Sequence, residues 1–258
     1  MLMCKLLFEQ KPKIDSDKIF LELQIKYKNV VNNSSEDTIM FAFPDFEIVL
    51  KDAKFPAQSI VAFTNENLPL ALPEEAFRQN WHWKEANDES KKCNFEVMVS
   101  DFMSSTLDYK QRLPLYIDFL EAVVKVMKPK IIYSVYGQKL LKTSDFLYEL
   151  KHGGFHVLEA ICNVRMFNIT GSKEQEIIMD TTGLNAIGLP ELQIQFDKFD
   201  PSKIANLLWT YAYYLYENGD VLEDGNTIEG IQEGSKWICR RGYSLIDENI
   251  SVINIVTS

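Results

Sequence analysis

A short alternating strand, a small acidic cap and a long amphipathic helix follow one another twice in this chain. That order narrows the fold more than any other feature. In the first copy Phe95-Glu96-Val97-Met98-Val99 alternates with the period of a half-buried strand. A helix follows over roughly 108–127, with Leu115, Phe119, Ala122, Val123 and Val126 on its apolar stripe, and 131–135 returns to strand. In the second copy 192–196 alternates and Asp200-Pro201-Ser202 supplies the cap. Ile204, Leu207, Leu208, Tyr211 and Leu215 then share one helical face, and Gly219 stops the helix. The start of the chain is a looser copy: an apolar strand at 2–9, then a helix from the Asp15-Ser16-Asp17 cap to about residue 28. Such helices must bury a stripe and such strands a face. The expectation is therefore an α+β fold of antiparallel or mixed sheets with amphipathic helices packed on them, built by internal duplication of a strand-helix-strand unit.

The stretches between these units carry weaker signals. Residues 32–37 form a polar loop. Three apolar runs, 38–43, 46–50 and 59–63, are split by Pro44-Asp45 and by 52–56, which predicts an antiparallel meander. Residues 70–77 open a short helix, with Pro73 in its first turn and two glutamates at its positive end. The polar stretch 86–92 is the best linker. It divides an N-terminal subdomain, 1–90, from a C-terminal one, 91–258; one continuous domain is the alternative. Thr143-Ser144-Asp145 caps a further helix that Gly153-Gly154 ends. A long strand is expected over 155–167, with a hairpin partner at 176–179 across 170–173. Glycine-containing breaks at 182–183 and 188–190 read as a tight loop that carries Leu184 and Ile187 into the core. Two last strands are expected near 236–240 and 250–256.

Charge and cysteine usage limit the function. The net charge of −10, from 37 acidic and 27 basic residues, disfavours a nucleic-acid partner, because phosphate backbones are bound through Lys and Arg. The densest basic runs, 125–130 and Arg240-Arg241, read as solvated ends of elements. A basic protein partner is the electrostatically natural one. The longest apolar helical stretch, 113–127, contains Asp118, Glu121 and Lys125, and a membrane span needs about 20 mostly apolar residues, so no membrane is expected. Cys4, Cys93, Cys162 and Cys239 form no CxxC pair and read as free thiols of a reducing compartment, which with no export signal means the cytoplasm.

Catalytic signals are thin. His82 lies between Trp81 and Trp83, either a ligand-stacking patch or, as we prefer, a packed corner. His156 and Cys162, in one expected strand, would lie about 20 Å apart along it, too far for a dyad. Residues 220–227 place Asp220, Asp224 and Gly225 like a calcium loop, but Leu222 and Ile231 stand where ligands are required. Phosphate-cradling glycine loops and nucleophile elbows are absent from the sequence. No catalytic residue, metal ligand or cofactor is therefore assigned.

The most informative feature is a one-sign segment. Between 204 and 235 there are six acids, Glu217, Asp220, Glu223, Asp224, Glu229 and Glu233, and no Lys or Arg. Such a segment repels itself unless something offsets it. It is either a solvated loop or a docking face for a basic partner, with Tyr213 and Tyr216 as aromatic anchors.

Two motifs in the same region carry a resemblance. Asp180-Thr181-Thr182-Gly183-Leu184-Asn185-Ala186-Ile187-Gly188-Leu189-Pro190-Glu191-Leu192 resembles the Gly-Leu, Gly-x-Pro-Glu-Leu segment of the bacterial domain of unknown function 4261 family. Leu222-Glu223-Asp224-Gly225-Asn226-Thr227-Ile228 resembles that family's acidic Asp-Gly-x-Thr-Ile segment. The likeness is clearest over the last ~80 residues. Upstream, 11–19 and 97–100 are similar in kind, but Cys93-Asn94-Phe95 stands where the family often has a His. No activity attaches to the family; its association with toxin-neutralising or competition genes implies a protein that binds and blocks a toxin. The expected function is thus a non-catalytic protein-binding module of a bacterial cell, immunity-type or accessory, acting through its acidic face. The alternatives are a hydrolase using Cys or carboxylate chemistry and a self-assembling structural subunit.

Overall fold

The computed structural model describes residues 1–35, 38–51, 53–63, 72–169, 171 and 176–257, and the chain forms two compact units, Met1–Ile161 and Cys162–Ser258. Both are α+β, with helices packed on largely antiparallel sheets.

Unit 1 is built on a seven-stranded sheet. Its strands are β1 (Met3–Phe8), β2 (Val31–Asn32), β3 (Ile39–Leu50), β4 (Ala53–Phe63), β5 (Phe95–Ser100), β6 (Ile131–Ser134) and β7 (Lys139–Lys142). They lie in the order β2-β3-β4-β5-β1-β6-β7, every pair antiparallel. The helices are α1 (Ser16–Gln24), α2 (Glu74–Arg78), α3 (Ala86–Ser90), α4 (Tyr109–Met127) and α5 (Thr143–His152). Helix α4 starts where the Asp108 carboxylate accepts from Lys110 N, and Lys128 ends it in the left-handed region. Phe119 sets its ring 5.9 Å from Phe41 and 6.5 Å from Phe43 on β3. Helix α1 docks on the other side of α4, with Lys26 bridging Asp118 and Glu121 at 2.6 and 2.7 Å. A buried ion pair joins α4 to β5's end, Arg112 Nε donating to Asp101 Oδ2 at 2.5 Å, and Asp101 also accepts from Leu2 N.

Several expectations for this region need correcting. The division at 90/91 falls inside the sheet: β5, beyond it, lies between β4 and β1, which precede it. The runs 38–43 and 46–50 are one strand, because a bulge between Phe43 and Glu47 takes up Pro44, which cannot donate to the ladder. The polar stretch 86–92 contains α3, and β7 had no counterpart in the sequence reading. Lys142, not the Thr-Ser-Asp triplet, is the N-cap of α5. Residues 36–37, 52, 70–71, 170 and 172–173, parts of the expected loop, breaker, helix start and hairpin turn, lie outside the described residues. The strand expected over 155–167 is broken by a 3-10 turn, Val157–Ala160, which His156 caps by accepting from Leu158 N. His156 and Cys162 therefore do not share a strand.

Unit 2 carries β8 (Asn163–Asn168), β9 (Ile177–Thr182), β10 (Glu191–Phe196), β11 (Thr227–Glu229), β12 (Lys236–Tyr243) and β13 (Ser251–Val256), in the order β11-β12-β13-β10-β9-β8. β10 and β13 are parallel; the other pairs are antiparallel. Helix α6 (Pro201–Asn218) follows β10, capped by Asp200 and ended by Gly219. Between β9 and β10 a 3-10 turn, Leu184–Ile187, brings Leu184 and Ile187 into the core, as the sequence indicates. Gly183 (φ 113°) and Gly188 (φ 83°) bound that turn in conformations a side chain disfavours. Both copies of the recurring pattern are present, but their sheets differ: β5 and β6 flank β1, whereas β10 and β13 pair directly. No helix among the described residues is long and apolar enough to cross a membrane.

Candidate functional site

The acidic segment owes its shape to arginines that follow it in the chain. β12 carries Arg240 and Arg241 in succession, so their side chains leave opposite faces of the strand. Asp224 receives Arg240 Nη1 at 3.1 Å and the backbone N–H of Arg241 at 3.0 Å. Asp220 receives both terminal nitrogens of Arg241, one of them at 3.0 Å. Arg241 also donates to Leu222 O, and Leu222 is buried. Gly225, at φ 82°, turns the loop so that its N–H meets Cys239 O at 2.8 Å while Cys239 N meets Asn226 O at 2.8 Å. The self-repulsion expected of the segment is thereby offset by β12, and the calcium-loop carboxylates serve as anchors for guanidinium groups.

Those ion pairs divide the eight residues singled out from the sequence. Asp220 and Asp224 are committed to Arg241 and Arg240. Glu217, Glu223, Glu229 and Glu233 stay exposed along the end of α6, the loop, β11 and the turn before β12. Tyr216 is buried at 6% exposure, so it serves the core and is no anchor. Tyr213 is half-buried and stacks on Trp209 at 5.5 Å. The exposed apolar groups here are instead Tyr214 and Val221, at 43% and 42% exposure. Tyr211 Oη donates to Glu229 O at 3.0 Å and so fixes β11 to α6. The surroundings have the same sign: unit 2 has seven Lys and Arg against fourteen Asp and Glu, −7 of the chain's −10.

A second polar feature escaped the sequence reading. Arg165, Asp180, Gln193, Asn254 and Arg240 are cross-strand neighbours in turn, one from each of β8, β9, β10, β13 and β12. Arg165 and Asp180 form a bidentate pair at 2.9 and 2.6 Å, and Gln193 Nε2 donates to Asn254 Oδ1 at 2.6 Å. Ser244 Oγ and Leu245 N donate to Gln193 Oε1. On the opposite face the same strands place Met166, Met179, Ile194, Ile255 and Cys239 in register. The recognisable signal was confined to β10, where Glu191, Gln193 and Gln195 alternate with apolar residues, and to single polar residues such as Asn254 in otherwise apolar strands. Beside this row Glu191 accepts from Thr181 Oγ1 at 2.8 Å, Gly183 N at 2.8 Å and Asn185 N at 3.0 Å. Burial pushes the Glu191 and Asp180 carboxyls up; Glu191's hydrogen bonds and, for Asp180, the guanidinium pull the other way. The row ends in an open groove of about 410 Å³, floored by Gln193, Gln195 and Asn254 and edged by exposed Leu245 and Val256.

The cysteines and histidines have the following surroundings. All four cysteines are buried, and burial pushes the Cys4 thiol up to about 12 and Cys93 up to about 11, far from the thiolate form at neutral pH. His82 Nε2 bonds Leu140 O at 2.9 Å, while His82 and Trp81 themselves stay exposed. His152 stacks on Tyr148, and His156 caps its turn. Among the described residues no group of three His, Cys, Asp or Glu side chains is placed to hold a metal ion.

Residues 180–256 match the family model described as a domain of unknown function (DUF4261). The resemblance drawn from the Gly-Leu and Asp-Gly motifs over the last part of the chain is thus supported, and the matched stretch runs from Asp180 in β9 to Val256, the last residue of β13. The likenesses at 11–19 and 97–100 fall outside it. Arg165, the partner of Asp180, also lies outside it. No curated protein matches the chain, and no solved structure matches it.

Proposed function

We propose that this chain is a non-catalytic protein-binding module that takes up a basic protein partner on the acidic rim of unit 2. The observation that carries this reading is the division of labour among the six acids. Asp220 and Asp224 hold the loop on β12, and Glu223, Glu229 and Glu233 are left exposed on a backbone already ordered before any partner arrives. A preordered acidic rim loses little conformational entropy on binding and steers a basic partner by charge. Tyr214 and Val221 supply apolar contact beside it. A bacterial cytoplasmic role of the immunity or accessory type, blocking a basic toxin, accords with this reading.

The test compares two equal charge reversals. Tagged protein is incubated with lysate of its own cells at low and high salt, and retained proteins are identified by mass spectrometry. A stoichiometric basic partner should be retained at low salt, released at high salt, and lost from Glu223→Lys/Glu229→Lys but not from the unit 1 variant Glu47→Lys/Glu74→Lys, two exposed glutamates. Equal retention by all three proteins, or a partner that is not basic, overturns the acidic-rim reading.

A further inference from the structure

Unit 1 contains a cavity of about 690 Å³ whose charge is opposite to that of the chain. Four lysines line it, Lys125, Lys128, Lys130 and Lys142, against two glutamates, Glu85 and Glu89. Two of the lysines are already paired: Lys130 bridges Glu9 and Glu89, the latter in the same cavity, and Lys125 lies 2.8 Å from Glu121. The other two are less committed. The nearest carboxylate to Lys142, that of Asp145, is 3.8 Å away, and Lys128 makes no ion pair among the described residues.

The same cavity receives the first turn of α5. Thr143 and Ser144 line it, and the N-cap, Lys142, makes no side-chain bond to the helix's amides. A helix start carries unpaired N–H groups and a partial positive charge, which suits an anion. An independent observation points the same way. Thr143 is 8% exposed, and its Oγ1 is buried with no hydrogen-bond partner among the described residues. Buried hydroxyls are nearly always partnered, so one left over beside uncapped amides and lysines marks a place for an acceptor. The rest of the wall is apolar, made by Trp83, Val124, Pro129 and Leu147. Cavities of roughly 300–1,000 Å³ with apolar walls and a few converging polar groups are typical of small-molecule sites.

We propose that this cavity binds a small amphiphilic anion, an apolar ring or chain bearing one phosphate or carboxylate group. The anionic head sits at the start of α5, reached by Thr143 Oγ1, the amides of Ser144 and Asp145, Lys128 and Lys142; the Thr143 amide itself donates to Lys130 O. The apolar body lies against Trp83 and Leu147. The site is independent of the acidic rim of unit 2.

Calorimetric titration of the full chain tests this with three probes of one shape: 1-naphthyl phosphate, 1-naphthoate and neutral 1-naphthol. At least one anion should bind with 1:1 stoichiometry, at least tenfold tighter than 1-naphthol; the tighter of the two identifies the head group. Lys128→Asn/Lys142→Gln should weaken it at least tenfold, and asparagine suits the left-handed backbone at position 128 (φ 54°). If that variant does not fold, amide chemical shifts of the wild-type chain decide: the anion must move residues 143–147. Naphthol binding as tightly as both anions, no binding by either anion, an unchanged affinity in the folded variant, or shifts confined to other residues overturns the proposal.

Discussion

The segments β5-α4-β6 and β10-α6-β13 begin with the same local grammar and end as different structures. Each opens on an alternating strand, and each helix starts on an aspartate whose side chain accepts from the backbone two residues on, Asp108 for α4 and Asp200 for α6. Yet α4 buries eleven of its nineteen residues and is covered on more than one side, while α6 buries five of eighteen and presents its other faces outward. The charges differ in the same sense. Unit 1 fastens its helix inward with the Arg112–Asp101 pair. Helix α6 has no base after Lys203 and sends no charge inward; the buried charges of unit 2, Arg165, Asp180 and Glu191, tie strand to strand and strand to turn. A cap and a stripe decide that a helix forms; neighbours distant in sequence decide how deeply it lies and what it is left free to do.

That contrast can be broken most severely at the helix-to-strand ion pair. Removing one partner of a buried pair strands the other, so Asp101→Ala should cost about 3–5 kcal/mol in urea denaturation, a loss for which α6 offers no counterpart. Helical faces give the next test. Ile117→Ala in α4 should cost about 2–4 kcal/mol, because Ile117 is 1% exposed, and Tyr214→Ala in α6 less than about 0.5 kcal/mol. Equal losses would mean that α6 is as deeply set as α4. The smallest effect is at Glu191. Glu191→Gln keeps the two backbone bonds but loses the acceptor for Thr181, for about 1–2 kcal/mol at neutral pH. The Glu191 carboxyl is raised in the fold, so the native state takes up its proton before the unfolded chain does. The penalty for burying its charge is present at neutral pH and relieved as pH falls toward the ordinary carboxylate range. The wild type should therefore gain on the variant between pH 7 and pH 5, measured as a widening gap in urea midpoints.

Much of the local structure could be seen in the residues alone. Caps at Asp15 and Asp200, the stop at Gly219 and the alternation of β5 and β10 are short-range effects, and they appear where the sequence put them. What failed depended on distant partners. Pro44 looked like a break until β4 paired on both sides of a bulge. Residues 86–92 looked like a linker because polarity is common to linkers and to short exposed helices. The site divided in the same way. The acids could be seen in advance, but which of them would be spent on Arg240 and Arg241 was set by strand register. Tyr216 lost its role as an anchor because the helical face of Leu208, Ala212 and Leu215 extends to include it. The Arg165–Asp180–Gln193–Asn254 row was spread over four strands and became one feature only when they assembled.

The strand order of the two sheets also sets a timetable for synthesis. β1, made first in unit 1, lies between β5 and β6 and has no partner until residues some ninety and more positions later have appeared. β13, made last in unit 2, lies between β12 and β10, so until it emerges that sheet exists as two separate parts. At about 5–20 residues per second, unit 1 has several seconds to close before unit 2 can. The first three strands of unit 2 therefore wait for its last one, whereas the acidic rim needs only β12 and takes shape as a separate piece that β13 then joins to the rest.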